Sequence, residues 1–123
     1  LAVLSDKAKE EIFVLTTDEF RKMALALPEA MEQPHFERTS FRVNKKIFAT
    51  MAEKEGIGVV MLTPVDQSVF CDVDAAFYPV NGGWGAKGAT EINLKKAGKA
   101  AVKDALKCAY MKVAPKRLLE ELK

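Results

Sequence analysis

The run TSFRVNKKIFATMAEKEGIGVVML (39–62) decides the fold. TSFRV (39–43) and KIFATMA (46–52) are rich in β-branched and aromatic residues and read as two strands around Asn44-Lys45. Two residues are enough for a hairpin turn, and Asn tolerates the positive φ that such a turn demands. The charged turn EKE (53–55) follows, and then GIGVVML (56–62), whose nearly unbroken apolar run marks a central strand. Three consecutive strands joined by short turns form an antiparallel meander.

On the N-terminal side, Thr16 with Glu19 three residues later is a capping box, and Asp18 and Glu19 suit the positive end of a helix dipole. Phe20, Met23, Ala24 and Leu27 recur at helical spacing, and Pro28 excludes the helical conformation at Leu27. PEAMEQPHFER (28–38) has two prolines and no sustained period, so it reads as a loop. Residues 1–15 read as an extension ahead of a single domain over 16–123.

On the C-terminal side, Thr63 is placed to cap a helix over 63–74, with Pro64 at its first position and Asp66 in its first turn. Val65, Val69 and Phe70 are expected to face the sheet. FYPV (77–80) reads as a short edge strand, because Pro79 has no amide proton to give a ladder. ATEINL (89–94) alternates as a further strand. Residues 95–113 read as one long helix with a weak spot at Gly98, and a short helix follows Pro115. The whole is an α+β domain, a twisted antiparallel sheet with helices packed on one face.

The bulk numbers exclude several classes. A chain of 123 residues buries a core without metal or disulfide staples. No apolar run approaches the roughly 20 residues of a membrane span, and the opening lacks the form of a secretory signal, so a cytoplasmic protein is expected. Cys71 and Cys108 are far apart and His35 is the single histidine, which leaves no zinc spacing, and both cysteines are expected as reduced thiols. Neither a metal, another cofactor nor a catalytic motif is expected. Net charge is +2, but residues 1–83 hold nine Lys/Arg against thirteen Asp/Glu, and residues 84–123 hold ten against four. A basic end of this kind points to an anionic partner.

The densest punctuation is YPVNGGWGAKGATEINL (78–94), which contains Gly83, Gly85 and Gly88 in the spacing G-x-G-x-x-G. A dinucleotide fingerprint needs a strand before it and a helix opening from it. Here the glycines run into a strand, and no Gly-Lys-Ser/Thr follows to make a phosphate loop. The glycines are read as shaping a tight turn. It either folds Trp84 onto the sheet edge or presents it to solvent beside Lys87.

Several segments together resemble the MmcQ/YjbR family of small bacterial proteins. They are TTDEFRKMALALPEA (16–30), PHFERTSFRVNKKIFATM (34–51), FYPVNGGWGAKGATEINL (77–94) and VAPKRL (113–118), in the family's order. The resemblance implies a fold similar to the bacterial frataxin homologue, the double-wing arrangement. It also implies a DNA-binding label, which follows the fold rather than a site, and no enzymatic activity. Iron binding is not implied, because the first helix offers only Asp18 and Glu19 near its start.

Two binding surfaces follow. The first is a nucleic-acid surface of Arg42, Lys45, Lys46, Trp84, Lys87, Lys116 and Arg117, joined by Arg38 on the hairpin. The basic residues among them are mostly lysines, which position a backbone rather than read bases. Contact with about four phosphates gives a log–log salt slope near −3.6, a weak mode without sequence preference. The alternative is a pocket for a small anionic ligand or a peptide, lined by the loops 34–36 and 82–88 with His35, Phe36, Trp84 and Lys87. On the long helix, Val102, Leu106, Ala109 and Val113 are expected to face the sheet, with Lys96, Lys99, Lys103 and Lys107 as an adjacent stripe.

Overall fold

The structure is a computed structural model that describes residues 15–122. The elements run α1 (Thr17–Leu25), β1 (Met31–His35), β2 (Arg38–Val43), β3 (Lys46–Ala52) and a 3₁₀ turn (Glu53–Glu55). They continue with β4 (Ile57–Met61), α2 (Pro64–Val73), β5 (Phe77–Pro79), α3 (Gly83–Ala86), β6 (Ala89–Asn93), α4 (Lys99–Val113) and α5 (Lys116–Glu120). One six-stranded sheet has the order β1-β2-β3-β4-β6-β5, antiparallel at every neighbour. The α+β architecture is as the sequence predicts.

Local chemistry accounts for most boundaries. Thr16 Oγ1 accepts from the Glu19 amide and opens α1, and Thr63 does the same for Asp66 at α2. Asn44 and Lys45 both take positive φ, 52° and 67°, the sign pattern of a type I′ hairpin. The helix expected over 95–113 begins only at Lys99, because Gly98 serves as its N-cap.

The expected loop 28–38 is corrected. Met31–His35 is an edge strand paired with β2, and Phe36-Glu37 is its two-residue turn. Pro34 is tolerated because it lies on an edge. MEQPH lacks apolar alternation because almost none of it is buried. Val65 and Val69 are also corrected. They are 73% and 54% exposed, and of the three residues expected on the sheet only Phe70 packs inward, stacked on Phe77 at 5.6 Å. The expected N-terminal extension lies outside the described residues apart from Leu15, which is buried in the core.

The longer helices α1, α2 and α4 cover one face of the sheet. Phe20 of α1 meets the edge of Phe41, and Tyr110 of α4 meets Phe48 at right angles, 5.6 Å between centroids. Each fully buried aromatic of this size contributes roughly 2–3 kcal/mol. The Tyr110 hydroxyl donates to Pro28 O at 2.6 Å and so satisfies its buried oxygen. Val102, Leu106 and Ala109 face the core as expected. Cys71 and Cys108 are free thiols, each half-buried, and burial raises both pKa values. No described helix is long and apolar enough to cross a membrane.

A bulge sets what the other face presents. Arg42 pairs with Ile47 but Phe41 pairs with Ala49, so β3 carries one extra residue, Phe48. Phe48 and Ala49 both enter the core, while Ile47 joins Thr50 on the open side.

Candidate functional site

One row of partners crosses the open face in register: Gln33, Ser40, Thr50, Val59, Glu91 and Tyr78. Above it lies a concavity of about 1210 Å³. Its floor includes Ile47, Thr50, Val59, Met61 and Leu62. Thr50 and Val59 line it yet are only 5% and 6% exposed, so this is a trough and not a flat sheet. The concavity also takes in Phe36 of the β1–β2 turn and Trp84 of α3, from opposite ends of the strand order.

Trp84 is 70% exposed. The Lys87 Nζ stands 5.8 Å from the centre of its ring, within cation–π range. Two close packings fix the loop that carries them. A Cβ on Gly85 would lie 1.7 Å from the Val80 carbonyl oxygen, and one on Gly88 would lie 1.9 Å from that of Leu62. The chain therefore approaches its neighbours more closely than any side chain allows. Gly88 also has φ of 116°, outside the range comfortable for L residues. The expected tight turn is in fact one helical turn, Gly83–Ala86, whose start needs Gly82 at positive φ. From α2, the Gln67 amide donates to Gly85 O at 2.9 Å and to Ala89 O at 3.0 Å, tying the turn to the start of β6.

The other rim is built differently. Phe36 is 94% exposed at φ 58°, a left-handed conformation that costs a bulky residue roughly 1–2 kcal/mol. His35 packs the edge of its ring against it at 4.9 Å. Strain of this kind collects at sites of function more than elsewhere.

The charges are uneven along the trough. Arg38, Lys87 and Lys112 line it, with Glu37 and Glu91. The Tyr78 hydroxyl donates to Glu91 at 2.6 Å, and that bond to a carboxylate, more than burial, raises the Tyr78 pKa. Lys112 donates to Leu62 O at 3.3 Å, and neither it nor Lys87 has a carboxylate within ion-pair distance among the described residues.

The predicted site residues divide accordingly. His35, Phe36, Trp84 and Lys87 come together on one concavity. Lys45 and Lys46 are exposed at the tip of the β2–β3 hairpin, outside its lining. Arg42 is half-buried and donates to Ser40 Oγ at 3.0 Å. Lys116 is exposed on α5, whereas Arg117 is held in a two-pronged pair with Glu29 at 2.7 and 3.0 Å. That pair lowers the Glu29 pKa through the hydrogen bond first, and it occupies the guanidinium expected to meet phosphate. Lys99, Lys103 and Lys107 line a separate depression of about 410 Å³ with Lys22, Met23 and Leu27, in the helical layer. Sequence reasoning missed Lys112 and Gln67. A cation in the last turn of a helix is ordinary, and nothing in the chain marks Gln67 as a clamp.

No protein-family model matches the chain, and no curated protein does. Among solved structures, the crystal structure of Deinococcus radiodurans protein DR2400, with a DUF419 domain, is similar in fold. The TM-score is 0.71 over 89% of this chain and 88% of that one, at 17% identity. DUF419 is the MmcQ/YjbR family, so the neighbour agrees with the sequence resemblance at the level of fold.

Proposed function

We propose that this chain is a non-enzymatic, cytosolic MmcQ/YjbR-like domain that binds nucleic acid on the open face of its sheet. One observation carries the reading: an indole 70% exposed, with an ammonium beside it, on the rim of a trough that also holds Arg38 and Lys112. Exposed aromatic surface next to cations is what unpaired bases and phosphates meet together. The exposed Lys45, Lys46 and Lys116 extend the positive surface beyond the trough. Arg42 pairs in register with Ile47, which lines the trough. Binding is weak and salt-dependent, because a handful of phosphate contacts supplies it and each contributes about −0.7 to −0.9 to the log–log slope. The four sequence segments and the shared fold support family membership together.

The test is fluorescence anisotropy of labelled oligonucleotides, with Trp84 emission followed in parallel. Saturable binding at about 50 mM salt that weakens steeply by about 200 mM is expected. No binding with tens of micromolar protein at the lower salt rejects the reading.

A second reading has its own observation. The floor is mostly apolar, with Ile47, Val59, Met61 and Leu62, and His35 and Phe36 share it with Trp84 and Lys87. That combination also suits a small anionic ligand or a peptide with an apolar body. It predicts a metabolite or peptide that raises the melting temperature and shifts Trp84 emission, with no response to oligonucleotides.

A further inference from the structure

We propose that the trough selects single-stranded over double-stranded nucleic acid, with Phe36 and Trp84 as two stacking platforms. This rests on the nucleic-acid reading above and narrows it to one substrate class. Among the described residues the two aromatics are the most exposed rings, 94% and 70%, and they come from opposite ends of the strand order onto one concavity. A ring in solvent costs the free protein apolar exposure, and Phe36 adds backbone strain at φ 58°. The T-shaped contact with His35, 4.9 Å between centroids, steadies the ring.

Stacking needs an open base face. In a duplex each base face is already covered by its neighbour, so neither ring gains from it. In a single strand every base has a free π-face, and base–aromatic stacking accepts any sequence. The cations fit the same geometry. Arg38 lies by Phe36, and Lys87 and Lys112 lie at the Trp84 end, so a backbone crossing the trough meets positive charge near each platform. The apolar floor between them suits bases and sugars better than a wall of phosphates.

The molecule offers a duplex little. Reading the major groove takes a helix or ribbon that can enter it, and the exposed β2–β3 ribbon tip offers Lys45 and Lys46, which meet backbone rather than base edges. Among the described residues, the helices longer than two turns are α1, α2 and α4, and all pack on the covered face. The turn α3 is too short to enter a groove.

The experiment compares four probes on the whole chain. They are a labelled oligothymidylate of about twelve nucleotides, the same strand in duplex, an abasic strand of equal length, and an acidic peptide of matched charge. The single strand is expected to bind at least about tenfold tighter than the duplex or the abasic strand. Phe36→Ala and Trp84→Ala are each expected to weaken it by roughly 5- to 150-fold while leaving the duplex signal unchanged. Both side chains are exposed, so an unaltered circular dichroism spectrum and melting temperature serve as the folding control. Equal affinity for single strand, duplex and abasic strand overturns the inference and leaves the wider nucleic-acid reading standing. No binding to any oligonucleotide, or tighter binding of the peptide, overturns both.

Discussion

The two rims of the trough present an aromatic ring by opposite means. At Trp84 the backbone is made permissive. Gly82, Gly85 and Gly88 allow the chain to turn and to lie directly on the carbonyls of Val80 and Leu62, and Gln67 then locks it. At Phe36 the backbone is forced. A phenylalanine occupies the first position of a two-residue turn, where positive φ normally selects Gly, Asn or Asp. One platform is built into the fold by close packing. The other stands on an edge hairpin whose outer strand is almost wholly exposed. The first is therefore rigid and intolerant of substitution, and the second is tolerant and replaceable without loss of the fold.

The sharpest way to break this contrast is Gly85→Ala. Its new methyl would sit 1.7 Å from a backbone oxygen, which no side-chain movement relieves. Displacing the turn from Val80 is expected to cost roughly 2–3 kcal/mol, read as a lower urea midpoint with unchanged m-value. Trp84 emission should shift with it. A variant as stable as the parent would show that the loop is not anchored by that contact.

Gln67→Ala tests the clamp and comes next in size. Gly85 O keeps a bond from the Gly88 amide, and Ala89 O keeps one from Val80, so neither carbonyl is orphaned. The loss is then two net hydrogen bonds, about 1–2 kcal/mol, rather than the full penalty of buried unpaired groups. Gln67→Glu keeps the shape but removes the donor and should destabilise more. Equal stability of the two variants would mean that the amide does not set the loop.

How legible each rim is in the sequence follows from the same contrast. Glycines advertise a special backbone, so the Trp84 loop stood out in the letters, as did the Asn44-Lys45 hairpin and the capping residues Thr16 and Thr63. The β-branched and apolar runs of β2 to β4 are equally plain because those strands are mostly buried. Phe36 is legible only through the resemblance carried by PHFERTSFRVNKKIFATM (34–51). An exposed edge strand has no burial pattern to read, and a strained non-glycine leaves no compositional mark. Val65 and Val69 misled for the converse reason: apolar residues at helical spacing predict a buried face, yet here they line the solvent side of α2. Lys112 joins the site through tertiary contact with Leu62, fifty positions away, which no local pattern records.

Phe36→Gly is expected to separate stability from binding, leaving the first nearly unchanged and weakening the second. Relief of the left-handed strain is worth about 1–2 kcal/mol, less about 0.5–1 for the added freedom of the unfolded chain and a similar amount for the lost contact with His35. These terms nearly cancel, so the variant should lie within about 1 kcal/mol of the parent in stability, and it should bind single strands less well. A clear loss of stability would mean that the ring is structural and would remove the argument from strain.

Lys45→Gly supplies the control that separates backbone from ring, and its effect is the smallest. Lys45 has φ 67°, nearly that of Phe36, but makes no aromatic contact among the described residues and lies outside the trough. The substitution creates Asn-Gly, the favoured pair for this turn, so a gain of about 0.5 kcal/mol is expected. One fewer cation should make the salt slope shallower by about 0.7, with only a few-fold change in affinity. If Lys45→Gly and Phe36→Gly change stability by similarly small amounts but only the second abolishes the preference for single strands, the preference belongs to the ring. If both abolish it, hairpin charge and not stacking governs the open face, and the two rims differ in construction alone.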